Sequence, residues 1–183
     1  MRSSAPMSDE AFYEFCRANP DLAIERTAEG EIVVMSPTGA RTGRRNFSLI
    51  GQLFAWTERD GSGVGFDSST GFLLPNGAER SPDAAWVASS RWNALSAEEQ
   101  EKFAPLCPDF VIELSSPRSD LVELRSKMQE YRSCGTRLGW LLEPKDRRVW
   151  VYRPEGIEEL SCPDELAGDP VLPGFVLDLR RVW

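Results

Sequence analysis

The N-terminal third of the chain alternates short apolar blocks with polar, Gly- or Pro-containing breaks. A first helix is predicted from Ser8, a residue that favours helix N-termini, to Asn19. Residues 22–26 and 31–35 flank a Gly-containing turn and predict a β-hairpin. A longer helix is then predicted to end near Asp60. Its apolar stripe consists of Phe47, Ile50, Leu53 and Phe54.

The middle of the chain is predicted to be rich in β-strands. Residues 64–74 and 82–88 predict two strands separated by the turn sequence Pro75-Asn76-Gly77. Ser96 begins a capping box and with it a short helix. Residues 110–114 form a continuous apolar run rather than an alternating one, interrupted only by a glutamate. Such a run predicts a central strand that is covered on both faces.

The C-terminal third begins with a helix predicted from Asp120 to Ser133, just before a glycine. Residues 138–143 and 149–153 then predict a second hairpin, and residues 175–179 predict a last strand.

These elements predict one α+β domain over residues 8–183, with a mixed central β-sheet flanked by helices. Residues 1–7 are predicted to form a flexible N-terminal tail. The 183 residues suit a single domain with a real hydrophobic core, and the chain contains no internal repeat.

The chain contains no histidine. This excludes Ser-His-Asp and Cys-His catalysis and any zinc site that uses imidazole ligands. Hydrolytic chemistry in this protein must therefore use carboxylates, lysine and a metal ion that accepts oxygen ligands.

The net charge of −8 argues at first sight against a nucleic-acid partner. However, six of the 29 acids lie within residues 155–169, a stretch without Lys or Arg, so the rest of the chain is nearly balanced. A short basic groove therefore stays compatible with the composition. The basic residues cluster at Arg41, Arg44 and Arg45, and again at Arg118, Arg125, Lys127, Arg132 and Arg137.

The four cysteines are dispersed and form no CxxC motif, as expected of reduced thiols. No apolar run approaches the ~20 residues of a membrane span, and the N-terminus does not resemble a signal peptide. We therefore expect a cytoplasmic protein without a membrane partner.

Three charged residues are the candidates for chemistry. Glu113 interrupts the buried strand, and a buried carboxylate needs a metal ion or a basic partner. Pairing with an arginine near the strand end is the alternative to a metal site. Lys127 lies along the inward face of the helix that follows, although a lone lysine more often extends its ammonium to the rim. Asp83 begins the preceding strand, where it could also be an ordinary turn acid. If the strands of Asp83 and Glu113 pair, the two carboxylates converge and a divalent cation would relieve their repulsion.

Several motifs together resemble a known family. Ser81-Pro82-Asp83 stands thirty residues before Val111-Ile112-Glu113, as in the PD…(D/E)xK signature of restriction-endonuclease-like nucleases. The chain is more specifically similar to the bacterial Uma-two family of endonucleases. The similarity covers nearly the whole chain. It also includes Ile24-Glu25, Gly30-Glu31-Ile32-Val33-Val34-Met35-Ser36-Pro37, Lys127…Tyr131, Trp140-Leu141-Leu142-Glu143-Pro144 and Leu172-Pro173-Gly174-Phe175.

The resemblance implies a restriction endonuclease-like core and a Mg²⁺-dependent (or Mn²⁺-dependent) site for hydrolysis of DNA phosphodiesters. Asp83 and Glu113 would bind the metal, with the Leu114 carbonyl as a further ligand. The usual lysine position, two residues after the acid, holds a serine here. Its counterpart is Lys127, which has migrated to the following helix. Glu25 matches a further acid of the family and could hold a second metal or a water.

Other functions remain open at this point. A nuclease fold without its usual lysine could serve as a catalytically inactive binding or assembly module. Carboxylate-pair glycoside hydrolysis is a third reading, in which the lysine has no evident purpose. We expect a homodimer, and several tryptophans could contribute to its interface or fill the core instead. They are Trp86, Trp92, Trp140, Trp150 and Trp183.

Overall fold

The computed structural model describes residues 7–117 and 119–183. The predicted tail, apart from Met7, and the basic residue Arg118 lie outside these ranges. The helices are α1 (Asp9–Ala18), α2 (Ala40–Asp60), α3 (Ser89–Trp92), α4 (Ala97–Glu101) and α5 (Leu121–Ser133), and a 3-10 turn spans Leu179–Arg181. The strands are β1 (Ala23–Arg26), β2 (Ile32–Met35), β3 (Gly63–Asp67), β4 (Phe72–Leu73), β5 (Glu79–Arg80), β6 (Ala84–Ala88), β7 (Phe110–Leu114), β8 (Leu138–Glu143), β9 (Arg148–Arg153), β10 (Gly156–Ser161), β11 (Glu165–Ala167) and β12 (Val176–Asp178).

The centre of the molecule is a six-stranded sheet in the order β10-β9-β8-β7-β6-β3. Only β7 and β8 pair in parallel, because α5 connects them as a crossover, and the other neighbours are antiparallel. The sheet is therefore mixed and flanked by helices, which confirms the predicted fold class. Every residue of β7 is buried, as its uninterrupted apolar run predicted.

Successive residues of β7 point to opposite faces of this sheet, and each face has its own core. Phe110 and Ile112 pack in one core with residues of α2 and the C-terminal segment. Val111 packs in the other core with Met128 and Tyr131 of α5. Because Glu113 is two residues beyond Val111, its side chain lies on the α5 face.

Besides the central sheet, the strands form two smaller sheets. A four-stranded antiparallel sheet has the order β2-β1-β5-β4, and β11 pairs with β12 in a small hairpin. The strand predicted over residues 64–74 is divided into β3, which belongs to the central sheet, and β4, which belongs to the four-stranded sheet. The division occurs at a turn after Asp67, whose carboxylate accepts hydrogen bonds from the backbone and side chain of Ser69.

The apolar stripe predicted for the long helix is also partly wrong. Leu53 is buried as expected, but Phe47 and Phe54 are 80% and 61% exposed. The residues of α2 that face the sheet are instead Leu49, Leu53 and Trp56.

The tryptophans mainly fill the core. Trp86, Trp140 and Trp150 are buried, while Trp92 and Trp183 are partly buried against the two cores. Exposed tryptophan is therefore not the basis of an interface within the described residues. No helix in the described part of the chain has the length and apolar character needed to cross a membrane.

Candidate active site

Asp83 and Glu113 lie opposite each other at one end of the central sheet. The antiparallel register of β6 and β7 pairs Ala84 with Ile112, which places Asp83 across from Glu113. Directly opposed residues of an antiparallel pair extend from the same face of the sheet. The two carboxylates thus converge on the side that α5 covers.

Lys127 extends from α5 into this end of the sheet. Its Nζ atom lies 2.8 Å from Oε1 of Glu113 and 2.8 Å from Oε1 of Glu25. Only 11% of the lysine side chain is exposed, so the ammonium does not extend to the rim. Its place is fixed by the neighbouring Met128 and by Tyr131, both fully buried against the sheet.

Glu25 belongs to β1 and brings the second sheet into the site. Besides Lys127, its carboxylate accepts a hydrogen bond from the backbone N–H of Ser81 at 2.8 Å. It also pairs with Nη1 of Arg80 at 3.2 Å. The same arginine contacts Glu130 of α5 through Nε at 2.6 Å. Arg80 therefore ties the smaller sheet to α5 beside the site.

Asp83 is half-buried and accepts two hydrogen bonds. The backbone N–H of Leu114 donates to Oδ2 at 2.8 Å, and the Asn46 amide of α2 donates to Oδ1 at 3.1 Å. The contact of Leu114 with the site is thus its N–H group, whereas the sequence suggested its carbonyl as a metal ligand.

Burial disfavours the charged forms of both strand carboxylates. The pKa of Glu113 is raised to about 7, mainly by burial and also by the charges of Asp83 and Glu25, against the lowering effect of the Lys127 ammonium. Burial also raises the pKa of Asp83, against the hydrogen bond from Leu114. Burial therefore favours the protonated form of both acids.

Lys127 and Tyr131 stay protonated in this setting. Burial lowers the lysine pKa, but the Glu113 and Glu25 carboxylates outweigh it and raise the pKa. Burial and the Glu113 charge raise the pKa of Tyr131 well above its ordinary value. Its hydroxyl donates to Oε1 of Glu113 at 3.1 Å. Lys127 is thus a fixed positive charge rather than a base near neutral pH.

The carboxylates at this end suit a hard cation bound by few protein ligands. Among the described residues, no group of three or more His, Cys, Asp or Glu side chains is placed to hold a metal ion. Asp83 and Glu113 nevertheless form a facing pair with raised pKa values. Mg²⁺ is commonly held by one or two carboxylates, with water and substrate phosphate completing its shell. The donor set therefore fits Mg²⁺ or Mn²⁺.

Three polar residues of the site were not identified as site residues from the sequence. Asn46 gave no signal, since it lies on a helix 37 residues before its partner Asp83. Tyr131 was recognised as part of the apolar stripe of α5 and of the motif Lys127…Tyr131, but not as a hydrogen-bond partner of Glu113. Arg80 immediately precedes Ser81-Pro82-Asp83, and this adjacency was the available signal.

Comparison with known proteins gave a family and a fold. The family model "Uma2: Putative restriction endonuclease" matches residues 9–180. The structure resembles the crystal structure of "a putative nuclease belonging to DUF820" from Anabaena variabilis ATCC 29413, with a TM-score of 0.74. The two chains are 21% identical, and the match covers 87% of this chain and 89% of that one. This match confirms the restriction endonuclease-like core. No protein among the curated sequences matches the chain.

Proposed function

The chain belongs to the Uma2 family, described as "Putative restriction endonuclease", and from this premise we propose that it is a Mg²⁺-dependent endonuclease acting on DNA. One observation carries the proposal. Asp83 and Glu113 face each other across paired strands, and the Lys127 ammonium lies 2.8 Å from Glu113. In phosphodiester hydrolysis, a carboxylate pair can hold the metal ion, and a fixed positive charge can stabilise the developing negative charge.

Asp83 and Glu113 would hold the metal, with the Leu114 carbonyl as a third ligand and Mn²⁺ as an alternative ion. When held by these residues, Mg²⁺ would supply Lewis-acid chemistry to the phosphate and to the attacking water. The Leu114 N–H and the Asn46 amide orient the Asp83 carboxylate for this task.

Lys127 would stabilise the negative charge that develops on the phosphate oxygens, because its ammonium is held protonated. In the reaction, the water oxygen forms a bond to phosphorus as the bond to the leaving oxygen breaks. The water proton passes to solvent, and the leaving oxygen takes up a proton. Glu25 fixes the position of Lys127 and could hold a water or a second metal ion.

The DNA backbone would meet arginines near the site. Arg41 and Arg44 are exposed in the first part of α2, the helix that carries Asn46. If they contact phosphates, DNA binding should weaken steeply with increasing salt concentration.

A non-catalytic binding or assembly module is the second candidate. The observation that favours it is the ammonium of Lys127, which already compensates Glu25 and Glu113 without a metal ion. The two candidates differ in one property, since only the nuclease must bind a divalent cation at Asp83 and Glu113.

The test is calorimetric titration with Mg²⁺ and Mn²⁺, together with a plasmid-nicking assay. We expect Asp83→Asn and Glu113→Gln to lose metal binding and nicking in parallel. Glu123→Gln is the matched control, since Glu123 is an exposed acid on α5. If the wild-type protein binds no metal ion at millimolar concentrations and does not nick the plasmid, the nuclease proposal is wrong. The non-catalytic binding or assembly module is then the better account.

A further inference from the structure

The outward face of α2 carries a regular stripe of exposed residues, of which the proposed nuclease function uses only Arg44. Arg44, Phe47, Gly51, Phe54 and Glu58 follow one another at spacings of three and four residues and are all exposed. This 3-4 spacing aligns side chains along one side of a helix and is the pattern of helix–helix contacts. The two phenylalanines, 80% and 61% exposed, form its apolar part.

Gly51, in the middle of the stripe, is not required by close packing within its own chain. A Cβ atom at this position would meet no atom within 4 Å. A glycine inside a helix is less favourable than alanine by roughly 0.5–1 kcal/mol. A small residue at the centre of a helix face does allow a second helix to approach closely.

The charges at the two ends of the stripe are opposite in sign. Arg44 lies seven residues before Gly51, and Glu58 lies seven residues after it. Within the described residues, neither side chain forms an ion pair or a side-chain hydrogen bond. Glu58 also stands in the last turn of α2, where the helix dipole disfavours an acid. Glu58 therefore costs the isolated chain some stability, and an ion pair with another molecule is open to both charges.

We propose that this stripe binds the α2 helix of a second copy of the chain, antiparallel, with the two-fold axis at Gly51. In this arrangement Arg44 of each copy meets Glu58 of the other, and Phe47 packs against Phe54 of the other. The pattern is self-complementary, as a two-fold interface requires. The inference goes beyond the proposed nuclease function and does not depend on it.

A groove beside the stripe provides room for the aromatic side chains of the second copy. It lies between α2 and the edge strand β3 and has a volume of about 500 Å³. Phe54 and Glu58 form part of its wall, together with Val64 and Phe66. The groove thus continues the apolar part of the stripe toward the free edge of the central sheet.

The dimer would also connect the two candidate active sites. Asn46, which binds Asp83, lies on α2 between Arg44 and Phe47. Pairing of the two α2 helices therefore holds the Asp83 carboxylates of both copies at a fixed separation on either side of the two-fold axis.

The test is a charge exchange measured by sedimentation equilibrium on the full chain. We expect a wild-type dimer whose Kd rises at least about tenfold in Arg44→Glu and in Glu58→Arg, because each change breaks two symmetric ion pairs and creates repulsion. The double variant, Arg44→Glu with Glu58→Arg, should return to within a few-fold of the wild-type Kd. Lys145→Glu, an exposed charge in a turn, is the control that should leave the Kd unchanged.

The apolar part is tested with Phe47→Ser combined with Phe54→Ser, which should make the chain monomeric without unfolding it. The inference is overturned by a wild-type monomer at hundreds of micromolar, which would leave the stripe to a different protein. The inference is also overturned if the single charge reversals leave the Kd of the dimer unchanged. It is overturned as well if the double variant does not recover the wild-type Kd. Unfolding would not explain a raised Kd in the single variants, because both substitutions suit the α2 dipole better than the original residues. Each places an acid near the N-terminus of α2 or a base near its C-terminus.

Discussion

Lys127 compensates two buried carboxylates at once, so its removal should affect stability in a pH-dependent way. Lys127→Met leaves Glu25 and Glu113 without the cation that lies 2.8 Å from each. Breaking a buried ion pair by removing one partner costs about 3–5 kcal/mol. We expect this loss in urea unfolding at pH 8, and a smaller loss at pH 5, where Glu113 takes up a proton.

Lys145→Met is the matched control for this measurement, because Lys145 is exposed and should change the free energy of unfolding by less than about 0.5 kcal/mol. An equal loss at both pH values in Lys127→Met would contradict the assignment. It would indicate that the lysine contributes through packing of its hydrocarbon stem rather than through charge.

Asn46 should act as a positioning residue for Asp83. Asn46→Ala removes the amide that donates to Oδ1 of Asp83, while the Leu114 N–H remains on Oδ2. Loss of such a supporting hydrogen bond typically lowers metal affinity or activity by about 10- to 100-fold. We expect Mg²⁺ affinity to fall in this range in calorimetry, with little change in thermal stability.

The comparison variant is Gln129→Ala, which removes an exposed amide of α5 at a distance from Asp83. If Asn46→Ala binds Mg²⁺ as tightly as the wild-type protein, Asp83 does not depend on this hydrogen bond for its orientation.

The sequence was sufficient for the residues whose position follows from a single element or from one strand pairing. Glu113 in an apolar strand, Asp83 at a strand start and Lys127 on an inward helix face are of this kind. Asn46 and Arg80 are not. They reach the site because α2 and the second sheet pack there. Apart from the adjacency of Arg80 to Ser81-Pro82-Asp83, the local sequence does not indicate that packing.

At the scale of elements, β3 can join the central sheet only because Gly63 has no side chain. A Cβ atom at Gly63 would lie 2.4 Å from the carbonyl oxygen of Val87 and 2.2 Å from the Trp86 ring. The backbone oxygen cannot move without breaking the pairing of β3 with β6. We expect Gly63→Ala to lower the free energy of unfolding by at least about 1–3 kcal/mol in urea melts.

Gly65 on the same strand provides a matched control. A Cβ atom there would meet its nearest neighbour, Oγ1 of Thr57, at 3.5 Å, which is ordinary contact. Gly65→Ala should therefore leave stability within about 0.5 kcal/mol of wild type. Equal effects of the two substitutions would indicate that glycine flexibility, and not the close approach at Gly63, determines the result.

Prediction of helices and strands succeeded where the sequence pattern was compatible with a single structure. The continuous apolar run of β7 and the capped helix α5 are examples, and both lie where expected. The helix α2 carries two apolar stripes, one with Leu49 and Trp56 and one with Phe47 and Phe54. Periodicity identifies such a helix but cannot determine which stripe the sheet covers, because that depends on the neighbouring elements.

For the molecule as a whole, buried acids with raised pKa values control how stability depends on pH. Burial raises the pKa of both Glu79 and Glu113 from 4.5 to about 7, and burial raises that of Asp83 as well. Between pH 4.5 and 7 the folded chain therefore binds more protons than the unfolded chain, and stability falls as pH rises through this window. Asp178, with a lowered pKa, contributes stability that is lost only as pH falls below about 4.

The predicted fall of stability with rising pH can be measured directly. We expect the free energy of unfolding in urea, without divalent cations, to decrease steadily from pH 5 to pH 7. Glu113→Gln should make the decrease shallower, since glutamine cannot titrate. A wild-type stability that rises with pH over this range would show that Glu79 and Glu113 are ionised in the folded protein at pH 5.

Mg²⁺ should reverse this trend, because the ion and the proton compete for the same carboxylate. Below pH 7 the proton on Glu113 must leave before the carboxylate can ligate a cation. Binding to the folded chain alone stabilises it by RT ln(1 + [Mg²⁺]/Kd). Millimolar Mg²⁺ should therefore raise the Tm more at pH 8 than at pH 6. Asp83→Asn should abolish the increase at both pH values. If Mg²⁺ raises the Tm equally at both pH values, or still raises it in Asp83→Asn, the cation binds elsewhere on this acidic chain and not between Asp83 and Glu113.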